Sequence, residues 1–122
     1  MRQFGAWLAL VAQLPACASG VRLDVEQASA ARAAIGAARA EGATESARGS
    51  VHFALAREQI EAAEQLARRG DVDDAKLVLA RAKADAELAR ALARREREEQ
   101  RTERAWTRVL RVEAGPAQTG SP

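Results

Sequence analysis

The chain has 122 residues and a net charge of +2. Hydrophobic residues make up 48% of it, and aromatic residues make up only 3%. This length leaves room for one small domain. Acidic and basic residues are interleaved, without a basic stripe and its stacking aromatics, so the sequence predicts no nucleic-acid binding. Much of the hydrophobic content is alanine, which favours helix but buries little apolar surface. We therefore expect helices that form easily around a weak core.

Residues 1–16 have the composition of a secretory signal peptide. Arg2 precedes an apolar run from Phe4 to Leu14 that only Gln13 interrupts. The run is shorter than the roughly 20 residues needed to span a bilayer, and it has the length of a signal-peptide core. A buried N-terminal helix is the alternative, but the run shows no amphipathic period.

The end of this segment resembles the lipobox of bacterial lipoproteins, in residues Leu14, Pro15, Ala16 and Cys17. The resemblance implies cleavage before Cys17 and a diacylglycerol thioether on its sulfur, followed by a short tether over residues 17–23. Cys17 is the only cysteine, so it has no disulfide partner within the chain. Ordinary secretion is the alternative, because Ala16, Cys17 and Ala18 also satisfy an Ala-x-Ala cleavage rule. Ala18, where an inner-membrane retention signal has Asp, implies a lipid anchor on the periplasmic face of the outer membrane.

Residues 24–112 predict an all-α domain of three helices. The first helix is predicted to begin at Asp24, as an N-cap with Gln27 three residues later. Its narrow apolar face is formed by Ala28, Ala31, Ile35 and Ala38. Gly42 and Gly49 bracket a polar stretch that we interpret as a loop.

The second and third helices are predicted to form an antiparallel hairpin. Helix two begins at Ser50 and ends before Gly70, and its apolar face is Phe53, Ala56, Ile60, Ala63 and Ala67. Helix three begins with Asp71 as its cap, and a 3-4 alternation continues through Val72, Ala75, Leu79, Ala82, Ala86, Ala89 and Ala93. Small residues at this spacing allow two helix backbones to approach closely.

Helix three is predicted to be about twice as long as helix two, roughly 60 Å against 30 Å. Its second half, residues 94–112, is charged on every face, and it is solvated, packed on helix one or paired with another chain. Trp106, Val109 and Leu110 near its end are the candidate partner contact, with packing against the same domain as the alternative. Residues 113–122 are predicted to be a disordered tail.

The sequence lacks the patterns of a catalytic or metal site. Its single histidine, His52, is interpreted as a surface or half-buried helix residue, and no phosphate-binding loop or metal-ligand pair is visible. Asp71, Asp73 and Asp74 are explained by helix-cap electrostatics. We therefore expect no enzyme activity, no cofactor and no metal.

Residues 28–93 resemble an uncharacterised family of short, alanine-rich helical bacterial lipoproteins. The resemblance rests on the run from Phe53 to Arg57, on Gly70 with Asp71, and on the run from Asp85 to Ala89. Some members precede an OmpA-like domain, which this chain lacks, so peptidoglycan binding is not carried over. Phe53 and Val72 stand where the family pattern has tyrosine.

We therefore expect a non-catalytic, membrane-anchored envelope lipoprotein that supplies a structural or protein-interaction module. A homo-oligomer or an envelope protein partner is possible at the candidate contact. The alternative is an accessory subunit of an envelope assembly or transport complex, acting as a tetratricopeptide-like adaptor. That repeat, however, requires a period near 34 residues and at least three copies.

Overall fold

The computed structural model describes residues 18–115, with side chains from residue 25 onward. Over this range the chain forms three α-helices and no strand: α1 (Ala18–Ala40), α2 (Gly49–Arg69) and α3 (Val72–Glu113). The predicted all-α fold, with a hairpin, an additional N-terminal helix and a long last helix, is confirmed. The predicted signal peptide, Cys17 and residues 116–122 of the tail lie outside the described residues.

Two glycines in the left-handed conformation end the first two helices. Gly42 has φ 82° and Gly70 has φ 89°, which residues with a side chain rarely adopt. After α2, the amide of Gly70 donates to Ala67 and that of Asp71 donates to Leu66, the hydrogen-bond pair of a Schellman motif. These terminators are where the sequence predicts them.

The start of α1 and the cap of α3 differ from prediction. α1 begins at Ala18, so the predicted start at Asp24 is wrong by six residues, because no proline after Pro15 prevents the helix from extending backwards. Asp71 does precede α3, but its carboxylate makes no capping hydrogen bond. It pairs instead with Arg69, at 3.6 Å.

The core consists of two adjoining clusters dominated by alanine. One is centred on Ile60 and Leu79, and the other on Phe53. Six predicted positions of α3 are buried and form what we call the seam: Ala75, Leu79, Ala82, Ala86, Ala89 and Ala93. Val72 and Ala67, predicted to join this packing, are exposed because they lie beside the α2–α3 turn, at the end of the bundle.

The helices run up, down and up, so that α1 is parallel to α3. Near the beginning of α1, Gln27 lines the same cleft as Leu79 of α3. Just past its end, Glu41 contacts Arg90 and Arg97, further along α3. The start of α1 and the end of α3 therefore lie at opposite ends of the molecule.

The bundle ends where the seam changes composition. Continuing the 3-4 spacing past Ala93 leads to Arg97, Gln100 and Arg104, which cannot fill an apolar interface. Every residue of the described chain from Arg97 to Gly115 is exposed. Residues 98–113, which we call the tip, therefore extend beyond the other two helices as a helix about 24 Å long.

Candidate interaction site

The base of the tip is held by one carboxylate. Glu41, in the turn after α1, has only 18% of its side chain exposed and contacts the guanidinium groups of Arg90, Arg94 and Arg97. Three charge-assisted contacts to a single partly buried acid tie the α1–α2 turn to one face of α3. Sequence analysis missed this cluster, because its members are about fifty positions apart.

A second group of contacts fixes the same turn from another side. The hydroxyl of Ser46 donates to Glu96 at 2.6 Å and accepts the amide of Gly49 at 2.9 Å. The Ser46 hydrogen bond, with smaller contributions from nearby backbone amides, lowers the pKa of the Glu96 carboxyl. Arg48 adds an ion pair to Glu99 at 3.5 Å. The last packed turn of α3 is therefore tied to the α1–α2 turn on two sides.

The predicted contact residues lie together on the tip and do not pack on their own domain. Trp106 is 63% exposed, Val109 44% and Leu110 62%, and Val112 beside them is 76% exposed. Since each residue turns the helix by about 100°, Trp106 lies about 140° around the helix from Ala93 and the seam. The apolar side of the tip thus faces away from the bundle, so packing on the same domain is not what the structure shows.

α3 also carries a line of arginines, centred opposite Trp106, that the sequence analysis missed. Seven arginines follow one another at alternating steps of four and three residues, and we call them the arginine line: Arg90, Arg94, Arg97, Arg101, Arg104, Arg108 and Arg111. The sequence analysis describes this segment as charged on every face but does not separate the two signs, and from Arg97 onward the arginines and the glutamates lie on different sides of the helix. Helical spacing in the sequence was the available signal.

The far end of this line has few partners. Arg101 pairs with Glu98 at 3.3 Å, three residues earlier. Among the described side chains, no carboxylate forms an ion pair with Arg104, Arg108 or Arg111. Residues 101–112 contain four arginines and one acidic residue, Glu103, so this stretch has a net charge of +3.

A polar cluster on the side of the bundle includes the only histidine. His52 Nδ1 lies 3.0 Å from Asp85 Oδ1, and the Gln59 amide donates to Asp85 Oδ2 at 2.8 Å. The hydrogen bond from His52 is the main cause of a lowered Asp85 pKa, with burial opposing it. Within the described chain His52 hydrogen-bonds no hydroxyl or thiol.

A cleft of about 370 Å³ between α1 and α3 is lined by Glu26, Gln27 and Lys83 among others. The Gln27 side-chain oxygen is buried and has no hydrogen-bond partner among the described side chains. No group of three or more potential metal ligands occurs among the described residues. None of the three helices, over the part of the chain described, has the length and hydropathy of a membrane span.

These features define an alanine-rich three-helix bundle with an exposed tip that is apolar on one side and basic on the other. The chain belongs to the family described as Domain of unknown function (DUF4398), whose model matches residues 26–105. The match extends beyond residues 28–93 at both ends and stops one residue before Trp106. No curated protein and no solved structure matches the chain significantly.

Proposed function

We propose that this chain is a non-catalytic envelope lipoprotein, anchored through lipid on Cys17 to the periplasmic face of the outer membrane. In this proposal the helical bundle is a structural module that carries the tip as an interaction site. One observation supports it most: α1 and α3 are parallel, so the start of α1 at Ala18 and the tip lie at opposite ends of the molecule, and a lipid attached just before α1 would leave the tip free. The 42 residues of α3 alone separate these ends by about 60 Å.

The packing supports a structural role more than a catalytic one. Most of the buried residues are alanine, and the one histidine is hydrogen-bonded to Asp85. The described helices form one three-helix bundle, whereas a tetratricopeptide-like adaptor needs stacked helix pairs in at least three copies. The proposal therefore does not include that architecture.

The lipid anchor is tested on the full chain with Cys17→Ser, followed by labelling with radioactive palmitate and membrane fractionation. We expect the natural chain to incorporate label and to fractionate with the outer membrane. Cys17→Ser should incorporate none, and should appear in the periplasm or remain uncleaved in the inner membrane. Ser19→Ala, which changes a nearby residue but keeps the thiol, is the control and should behave as the natural chain. An unlabelled natural chain, or a Cys17→Ser chain still in the outer membrane, would show that the anchor is wrong.

A further inference from the structure

The tip has an apolar side and a basic side, and a partner that binds it must contact both. Trp106, Val109 and Leu110 present apolar surface to solvent, and four arginines and Glu103 lie around the rest of the helix. A soluble polyanion would neutralise the arginines but leave the apolar side exposed. A purely apolar protein groove would cover that side without using the charge. The headgroup region of a bilayer offers both acyl chains and phosphates.

The positions of the arginines match such a surface. The apolar arc of the tip runs from Leu110 through Trp106 and Val109 to Ala105 and Val112, and Arg101 and Arg108 lie about 20° and 40° beyond its Val112 edge. Arginine can extend its guanidinium from such an edge to headgroup phosphates while its methylenes stay on apolar surface. At the other edge Glu103 and Thr107 follow Leu110, and Arg104 and Arg111 lie behind them, about 160° and 180° from the centre of the apolar arc.

A second copy of the chain fits the same surface poorly. Glu99 and Glu113 each lie seven residues from Trp106, which places both about 20° from it around the helix. When two tips pair through Trp106, parallel or antiparallel, a glutamate of one copy faces a glutamate of the other. Like charges so placed oppose association. On a bilayer the same residues lie beyond the ends of the apolar patch, and Glu99 is already paired with Arg48 and Arg95.

We propose that the tip binds the surface of an anionic phospholipid bilayer, with Trp106, Val109 and Leu110 against the acyl chains and Arg101 and Arg108 at the phosphates. Residues 101–113 of the tip are exposed and make no described contact with α1 or α2, so they can lie along a flat surface without rearranging the bundle. This contact goes beyond the proposed function and does not depend on it, because it requires no lipid on Cys17.

The test uses the full 122-residue chain with Trp7→Phe, which leaves Trp106 as the only tryptophan. The chain is reconstituted with vesicles of phosphatidylcholine, either alone or mixed with phosphatidylglycerol, that carry brominated acyl chains as quenchers. The N-terminal segment can insert into both, whereas the fluorescence reports only the tip. We expect a blue shift and quenching of Trp106 on the anionic vesicles, reversed by high salt, and water-exposed emission on the neutral ones.

Two matched double variants test the orientation. Arg101→Gln with Arg108→Gln should lower the ratio of quenched to unquenched Trp106 roughly 10-fold or more. Arg104→Gln with Arg111→Gln removes the same charge from the far side and should lower it much less. Circular dichroism should show unchanged helix content in both. Equal losses in the two variants would overturn the proposed orientation.

Three further results would overturn the proposal itself. The first is exposed Trp106 emission on anionic vesicles, and the second is equal quenching on neutral and anionic vesicles. The third is a blue shift without vesicles that grows with protein concentration, which would assign the apolar side to a second copy. Because the palmitate and fractionation experiment reads only the Cys17 anchor, failure of either proposal can be told from failure of the other.

Discussion

Gly49 and Ala89 bring the backbones of α2 and α3 so close that a Cβ atom on residue 49 would lie 2.8 Å from the Ala89 carbonyl oxygen. The neighbouring atom is backbone and cannot move aside as the end of a flexible side chain can. The same Cβ would also meet the side chain of Ser46, which holds Glu96. The absence of a side chain at residue 49 therefore sets how closely the hairpin packs beside the base of the tip.

Gly49→Ala should destabilise the bundle by about 1–3 kcal/mol, because the added methyl group must push two helices apart. The control is Gly36→Ala in α1, where nothing lies within 4 Å of the added Cβ. That substitution should stabilise the protein by about 0.5–1 kcal/mol through helix propensity. Urea denaturation followed by circular dichroism measures both. A Gly49→Ala variant as stable as Gly36→Ala would contradict the close approach.

Leu79→Ala should cost about 2–5 kcal/mol, because Leu79 is the largest side chain of the seam and its loss leaves a void between α1, α2 and α3. Leu77→Ala is the matched control, since Leu77 lies two residues away and is 62% exposed. It should change the free energy of unfolding by less than about 0.5 kcal/mol. Thermal unfolding of the two variants side by side tests whether the seam is the core. Equal melting temperatures would show that it is not.

Asp85→Asn should lower stability at neutral pH by about 1 kcal/mol, because it weakens the hydrogen bonds to His52 and Gln59. The folded-state pKa of Asp85 is below its ordinary value of 3.8, so the carboxylate stabilises the fold above that value. This contribution is lost as the pH falls through the folded pKa. Urea unfolding of both proteins from pH 7 to pH 2 should therefore show the difference narrowing below about pH 4. A difference that does not change over this range would contradict the assigned cause.

Glu41→Gln should destabilise the bundle by about 1–2 kcal/mol, since three arginines lose one shared carboxylate. Glu87→Gln removes an acid that, among the described residues, pairs only with Lys83, which lies on the same helix and largely in solvent. Its cost should stay below about 0.5 kcal/mol. Chemical denaturation at low and high salt measures both, and salt should reduce the Glu41 effect. A Glu41→Gln variant no weaker than Glu87→Gln would show that the cluster contributes little.

A chain ending at Gln100 should unfold at nearly the same temperature as the full chain, because the residues removed make no described contact with α1 or α2. A chain ending at Ala93 should unfold at a clearly lower temperature. It lacks the Arg94 and Arg97 contacts to Glu41 and the Glu96 contact to Ser46. Differential scanning calorimetry of the two truncations checks this. Equal midpoints would place the end of the bundle before residue 94.

The sequence predicted those parts of the fold that depend on local spacing. Three- and four-residue steps identified the buried alanines of α3 and the face of α2, and Gly70 marked the turn, because each signal lies within one helix. The same reasoning placed Trp106, Val109 and Leu110 together on the tip.

Other features could not be predicted because they join distant residues. The contacts of His52 with Asp85 and of Ser46 with Glu96 span 33 and 50 positions. Both depend on which helix faces are adjacent, and one sequence does not specify this. The arginine line could have been predicted, because its spacing of four and three residues lies within one helix. A net charge counted along the chain does not show on which side of a helix the arginines lie.

Because charged residues replace alanine after Ala93, the length of the tip can change without changing the stability of the bundle. Seven residues inserted after Gln100 would lengthen the tip by about 10 Å and would rotate Trp106 around the helix axis by only about 20°, without changing the packed helices. An insertion of five residues would instead rotate it by about 140° and redirect the apolar side. Evolution can therefore adjust how far this protein extends in steps of seven residues, without repacking its core.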